Sequence, residues 1–192
     1  MSPTAPQPPQ APTPRLAPAE PPYPAEVQAR LDAIMPPGIP PLMLFRVLAR
    51  DGRLFERFMA GALLDKGNLT LRQREIVIHR VTGRCGAEYE WGVHARFFGK
   101  RAALDEAQLR STVRGGPDDP CWTPEEALLI RLCDALHADC TLDDALWAEL
   151  KAAYSEEAIL ELLMLAGLYR TVAYLANALR LPPERFALRF PA

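Results

Sequence analysis

From Leu42 to Leu181 apolar side chains recur with a period close to 3.6, and no strand-like alternation persists in that span. Such a pattern admits helices and little else. The stretch "LTLRQREIVIHRVTGR" opens with Thr70 and Gln73 in capping-box spacing, which predicts a helix running to about Arg84. Gly86 suits the position just past a helix end, and a second helix is expected over about 87–98. Further helices are expected over 105–113, 124–138, 142–153 and 156–179, the second of them behind another capping box, Thr123 with Glu126. The predicted fold class is all-α.

Upstream the composition changes. Ten of the twenty prolines fall in the first 24 residues, too polar and too poor in apolar side chains to bury a core. Residues 1–24 are therefore expected to form a disordered or polyproline-II arm. "AEVQARLDAIM" has helical spacing, and the proline-rich "MPPGIPPL" then interrupts regular structure before the main run. Residues 25–192 are expected to be a single domain. Hydrophobic residues make up 49% and charged residues 24%, with a net charge of −2, so no basic field argues for nucleic acid or an anionic membrane. No apolar run is expected to cross a bilayer, and the N-terminus lacks the pattern of a secretory signal. The expected location is cytoplasmic, and Cys85, Cys121, Cys133 and Cys140 are expected to be free thiols.

The chemistry concentrates in "TLRQREIVIHRVTGRCGAEYEWGVHARFFG", where Glu75 precedes His79 by four residues and Glu90 precedes His94 by four. Residues four apart share a helix face. The short Cys85-Gly86 turn makes the two helices pack as an antiparallel hairpin or cross steeply. Residues near the turn on the facing sides then approach each other, Glu75, His79 and Thr82 sharing one face and Ala87, Glu90, Trp91 and His94 the other. An imidazole beside a carboxylate has a pKa tunable around neutrality, as proton transfer requires. The same spacing is ordinary on exposed helices. The surrounding Tyr89, Trp91, Phe97 and Phe98 are what distinguish this one. Two carboxylates and two imidazoles are also donors for zinc or iron, although the di-iron bundle motif uses a spacing of three. Cys133, His137 and Cys140 in "CDALHADC" share a face but lack an obvious fourth ligand, and read as a buried histidine with core thiols. On the last helix, Tyr169 and Asn177 are candidates for holding a substrate, whereas Tyr174 reads as core.

Residues 69–99 resemble the signature segment of the carboxymuconolactone decarboxylase family, which shares its all-α fold with the alkylhydroperoxidase D proteins. "LLMLAGLYRTVAYLANALRL" is more loosely similar to that family's C-terminal helix. In the peroxidase branch a C-x-x-C pair begins twelve residues after the glutamate, and a histidine follows four residues after the second cysteine. Here those positions hold Glu75, Ala87, Glu90 and His94, so the dithiol is missing. "EYEWGVH" instead resembles the decarboxylase branch, in which a carboxylated lactone of aromatic-compound catabolism loses carbon dioxide and the resulting enolate is protonated. The resemblance implies His94 as proton donor, with Glu90 and Glu75 as catalytic partners. His79, Trp91, Arg84, Tyr169 and Asn177 would hold a small-molecule substrate, with Arg72 another candidate to hold an anion. It also implies no metal or cofactor and a homo-oligomer, a trimer or hexamer. The alternatives are peroxide reduction by a single thiol, Cys85, and a non-catalytic oligomeric binding protein of the same fold.

Overall fold

A computed structural model of the protein describes residues 13–192. Among them all regular structure is helical: α1 (Ala25–Ile34), α2 (Met43–Leu48), α3 (Gly52–Ala60), α4 (Leu71–Arg84), α5 (Glu88–His94), α6 (Glu106–Arg114), α7 (Pro124–Asp139), α8 (Asp144–Ala153) and α9 (Glu156–Ala178). The expected capping boxes form at Thr70–Gln73 and Thr123–Glu126, and a third forms at Asp105–Gln108. Each satisfies amides that helix starts leave without intrahelical partners.

Helix α4 is central, packing against α5, α6, α7 and α9. Ile76, Val77 and Ile78, which point to different sides of this all-round buried helix, join Leu129, Ile130 and Leu132 of α7 and Leu162 and Leu165 of α9 in the main core. A satellite cluster joins Val27 and Leu31 of α1 to Phe55 of α3. Gly86, with φ at +62°, makes the turn that reverses the chain between α4 and α5. Beyond His94 the helix loosens into a π-helical turn, Ala95–Gly99, so the expected helix over 87–98 is real but not α-helical throughout.

Three expectations are corrected. Helix α9, with 23 residues and a mean hydropathy of 1.5 over its most apolar stretch, is long and apolar enough to cross a bilayer. Its apolarity has another use, since Ile159, Leu162, Leu165, Val172 and Ala176 lie in the domain core. Tyr174 is not core. It is 59% exposed, and its hydroxyl accepts a hydrogen bond from Arg170. Nor do all of the expected thiols lie in the core, because Cys140 is exposed at the left-handed end of α7.

Only residues 13–24 of the proline-rich arm lie within the described part. They include no helix. Arg15 N–H donates to the Leu179 carbonyl at 2.8 Å, and Ala19 N–H donates to the Arg46 carbonyl at 2.9 Å. At the other end, residues 181–192 cross α5. Leu188 N–H donates to the Gly92 carbonyl at 3.1 Å, and Phe190 N–H donates to Glu88 at 2.9 Å. A side chain at Gly92 would begin 2.1 Å from the Leu188 carbonyl oxygen, so only glycine permits this crossing.

Candidate active site

Because α4 and α5 run antiparallel from a tight turn, Glu75 near the start of one lies level with His94 at the end of the other. His94 Nδ1 is 2.9 Å from Glu75 Oε2, and both side chains are almost completely buried. On its other edge, His94 Nε2 is 3.0 Å from the Tyr169 hydroxyl on α9 and 3.4 Å from Glu90 Oε1, one turn earlier on α5. Phe98 stacks on the imidazole at 5.2 Å, placed there by the π-helical turn. The sequence reading of Glu75, Glu90 and His94 as a group is thus matched by one connected cluster.

The electrostatics separate the two histidines. Burial pulls the His94 pKa down, but the Glu75 charge and hydrogen bond, together with Glu90, outweigh it and raise the pKa to about 9. Glu75 is itself pushed up by burial. The His94 charge and hydrogen bond, with smaller help from His79 and Arg74, leave it below its ordinary value. His94 and Glu75 therefore form a buried ion pair. His79 goes the other way: burial dominates the Glu75 attraction and lowers it to about 4. Its Nδ1 donates to the Glu75 backbone carbonyl at 2.6 Å, because a carbonyl can only accept. His79 is neutral at pH 7, and its Nε2 has no partner among the described residues. Tyr169 keeps its proton, since burial and the charges of Glu90 and Glu75 hold its pKa well above 10. Its hydroxyl can accept from a charged His94 or donate to a neutral one.

His94, Glu90 and Tyr169 open onto a cavity of about 280 Å³ walled by Leu44, Phe58, Phe97, Phe98, Leu168 and Val172. Ile34, Met35, Pro36 and Leu42 form part of its wall, so the proline-rich break between α1 and α2 shapes the pocket. Of the residues expected to hold a substrate, only Tyr169 lines it. His79 is sealed behind Glu75, at the edge of Trp91. Trp91 turns inward and donates its indole N–H to Thr112 at 3.0 Å. Arg84 pairs with Asp134 at 3.4 Å on α7, and Asn177 donates to the Cys85 carbonyl at 2.8 Å. Arg72 is taken by Glu126 at 2.5 Å. A shared helix face in the sequence did not distinguish the side facing the cavity from the side facing the next helix. Arg101, which does line the pocket, carried no sequence signal, because it follows the π-helical turn in an unpatterned loop.

No cysteine lines the pocket. Cys85 Sγ lies 3.8 Å from His137 Nδ1, and burial raises its pKa against the smaller opposing effect of Arg170 and Arg84. Among the described residues no group of His, Cys, Asp and Glu has metal-binding geometry.

No protein-family model matches the sequence, and no curated protein matches it. Solved structures are informative about the fold. A peroxidase-related protein of uncharacterised function from Silicibacter sp. TM1040 superposes with a TM-score of 0.77 at 16% identity, over 95% of both chains. An uncharacterised peroxidase-related protein with an alkylhydroperoxidase D core, from Ralstonia eutropha JMP134, gives 0.76 at 16% identity, over 91% of this chain and 94% of that one. A protein of unknown function from Agrobacterium tumefaciens, a candidate antioxidant-defence protein, gives 0.65 at 18% identity, over 71% and 94%. The chain has the all-α fold of alkylhydroperoxidase D-like proteins.

Proposed function

We propose that the protein is a cofactor-independent acid–base enzyme that decarboxylates, or moves a proton on, a small lactone or carboxylic acid. The observation that carries this reading is the charged His94, held by Glu75 at Nδ1 and lining an apolar cavity together with Glu90 and Tyr169, which meet its Nε2 edge. In a decarboxylation the bond to the departing carboxylate breaks, and its electron pair remains on carbon as an enolate. The apolar walls disfavour the charged carboxylate and so assist its loss. His94 Nε2 then supplies the proton, the Tyr169 hydroxyl turns from accepting that N–H to donating to the neutral imidazole left behind, and water returns the proton to His94. Glu90 and Ala87 stand where a dithiol peroxidase of this fold would carry its cysteines, which supports acid–base over thiol chemistry. Peroxide reduction, suggested by the names of the structural neighbours, would fall to Cys85, whose thiol faces His137 instead. The test is His94→Gln, which keeps size and polarity but has no proton to give. Turnover should fall by on the order of 10²–10⁴ with substrate binding largely intact. Near-normal turnover by a folded His94→Gln protein would reject the assignment. Rapid, stoichiometric modification of Cys85 in the native protein, with activity lost in step, would favour the thiol reading.

A further inference from the structure

All but four of the residues lining the pocket are apolar, and the four are Glu90, His94, Arg101 and Tyr169. Two of these have capacity that no described residue uses. Glu90 is more than nine-tenths buried, yet its Oε2 has no hydrogen-bond partner. A buried carboxylate oxygen is costly to leave without a donor. Arg101 forms no salt bridge or hydrogen bond among the described residues, and its guanidinium lies 5.4 Å from the centre of the Phe98 ring. Arg74, the other guanidinium near Phe98, is already committed to the Leu64 carbonyl at 2.9 Å and to Glu75 at 3.4 Å.

Phe98 relates the two ends of the site. One guanidinium approaches its ring, and the same ring stacks on His94. The Arg101 guanidinium and the His94 imidazole thus neighbour the same ring, at 5.4 and 5.2 Å from its centre, in a pocket whose other walls are almost all apolar. We infer that the pocket selects an apolar carboxylate that carries a hydrogen-bond donor at its opposite end. A carboxylate that the reaction retains docks on Arg101, the donor docks on Glu90 Oε2, and the reacting atom lies beside His94 Nε2. An arginine suits this role because its planar fork matches a carboxylate with two parallel hydrogen bonds. The cavity is slightly below the roughly 300–1,000 Å³ typical of pockets for drug-sized ligands, which limits the body to about one ring or a short chain.

The inference rests on the pocket being the substrate site, but its test reads binding and needs no turnover. Calorimetric titration of the full chain would compare 4-hydroxyphenylacetate with phenylacetate, which lacks the donor, and with 4-hydroxyphenylacetamide, which lacks the charge. Each loss should weaken binding on the order of tenfold. Arg101→Met should abolish the preference for carboxylate over amide while keeping the preference for the hydroxyl. Glu90→Leu should do the reverse. Arg101 is exposed, so its replacement does not threaten the core, and that arm decides the matter even if Glu90→Leu fails to fold. Equal binding of carboxylate and amide by the native protein would overturn the inference. So would a preference that survives Arg101→Met, or no binding by any of the three. Selective binding together with an active His94→Gln protein would reject the acid–base function and leave the Arg101 assignment standing.

Discussion

His79 and His94 differ by fifteen positions in the chain and by an equally consequential difference in surroundings. Both are buried, and both lie near the Glu75 carboxylate. His94 donates a hydrogen bond to the carboxylate and also feels its charge, and Glu90 adds a second anion on its far edge. His79 makes its hydrogen bond to a backbone carbonyl, which cannot offset burial. If a charged His94 is the acid, activity should persist across neutral pH and fall as pH rises through about 9. Glu75→Gln removes the largest influence holding that proton and leaves burial unopposed by it. The alkaline limb of the rate profile should then move to lower pH, by more than one unit. A limb that stays in place in Glu75→Gln would show that His94 is not the titrating group.

At the scale of the helix, α5 is short and depends on what lies over it. Gly92 allows the 181–192 segment to cross at backbone distance, and Phe190 meets Trp91 edge-on at 5.4 Å. Gly92→Ala should therefore destabilise the protein despite alanine's better helix propensity, by about 1–3 kcal/mol in urea denaturation. An unchanged or raised midpoint would mean that the segment moves aside freely. The helices themselves were legible in the sequence because capping residues and apolar spacing are local signals. Thr70 with Gln73 and Thr123 with Glu126 mark starts that the structure repeats within a residue. Glu75, Glu90 and His94 were legible because one short turn dictates how their helices meet. The rest of the pocket was not. Phe58, Val172 and Arg101 come from elements far apart in sequence, and no local pattern records how α3, α9 and the loop after the π-helical turn converge. That Trp91, Arg84 and Asn177 lie outside this pocket has the same origin, since each has a partner on a distant element.

For the molecule as a whole, the two histidines set opposite limits on stability against pH. The His94 pKa is raised in the fold, so its contribution is fully present below about 6.5 and is lost as pH rises towards 9. The His79 pKa is lowered, so its contribution is present above about 6.5 and is lost as pH falls towards 4. Glu75, also lowered, adds to the acid-side loss. Each histidine's window corresponds to on the order of 3 kcal/mol, and the His94–Glu75 pair counts once rather than once per partner. Denaturation midpoints followed across pH should peak near 6.5 and fall on both sides. A plateau from 6 to 9 would contradict the ion pair at the centre of the site.

The crossing at Gly92 also has a consequence for how fast protons leave the backbone. Amides of a segment outside regular helices ordinarily exchange with solvent almost at once, because few backbone hydrogen bonds hold them. The Leu188 amide is held by a carbonyl of the helix that carries Glu90 and His94. It should therefore exchange with deuterium on the timescale of α5 and not on that of an unheld loop. Its isotope signal would act as a clock for the pocket, since the event that releases it also uncovers the helix bearing His94.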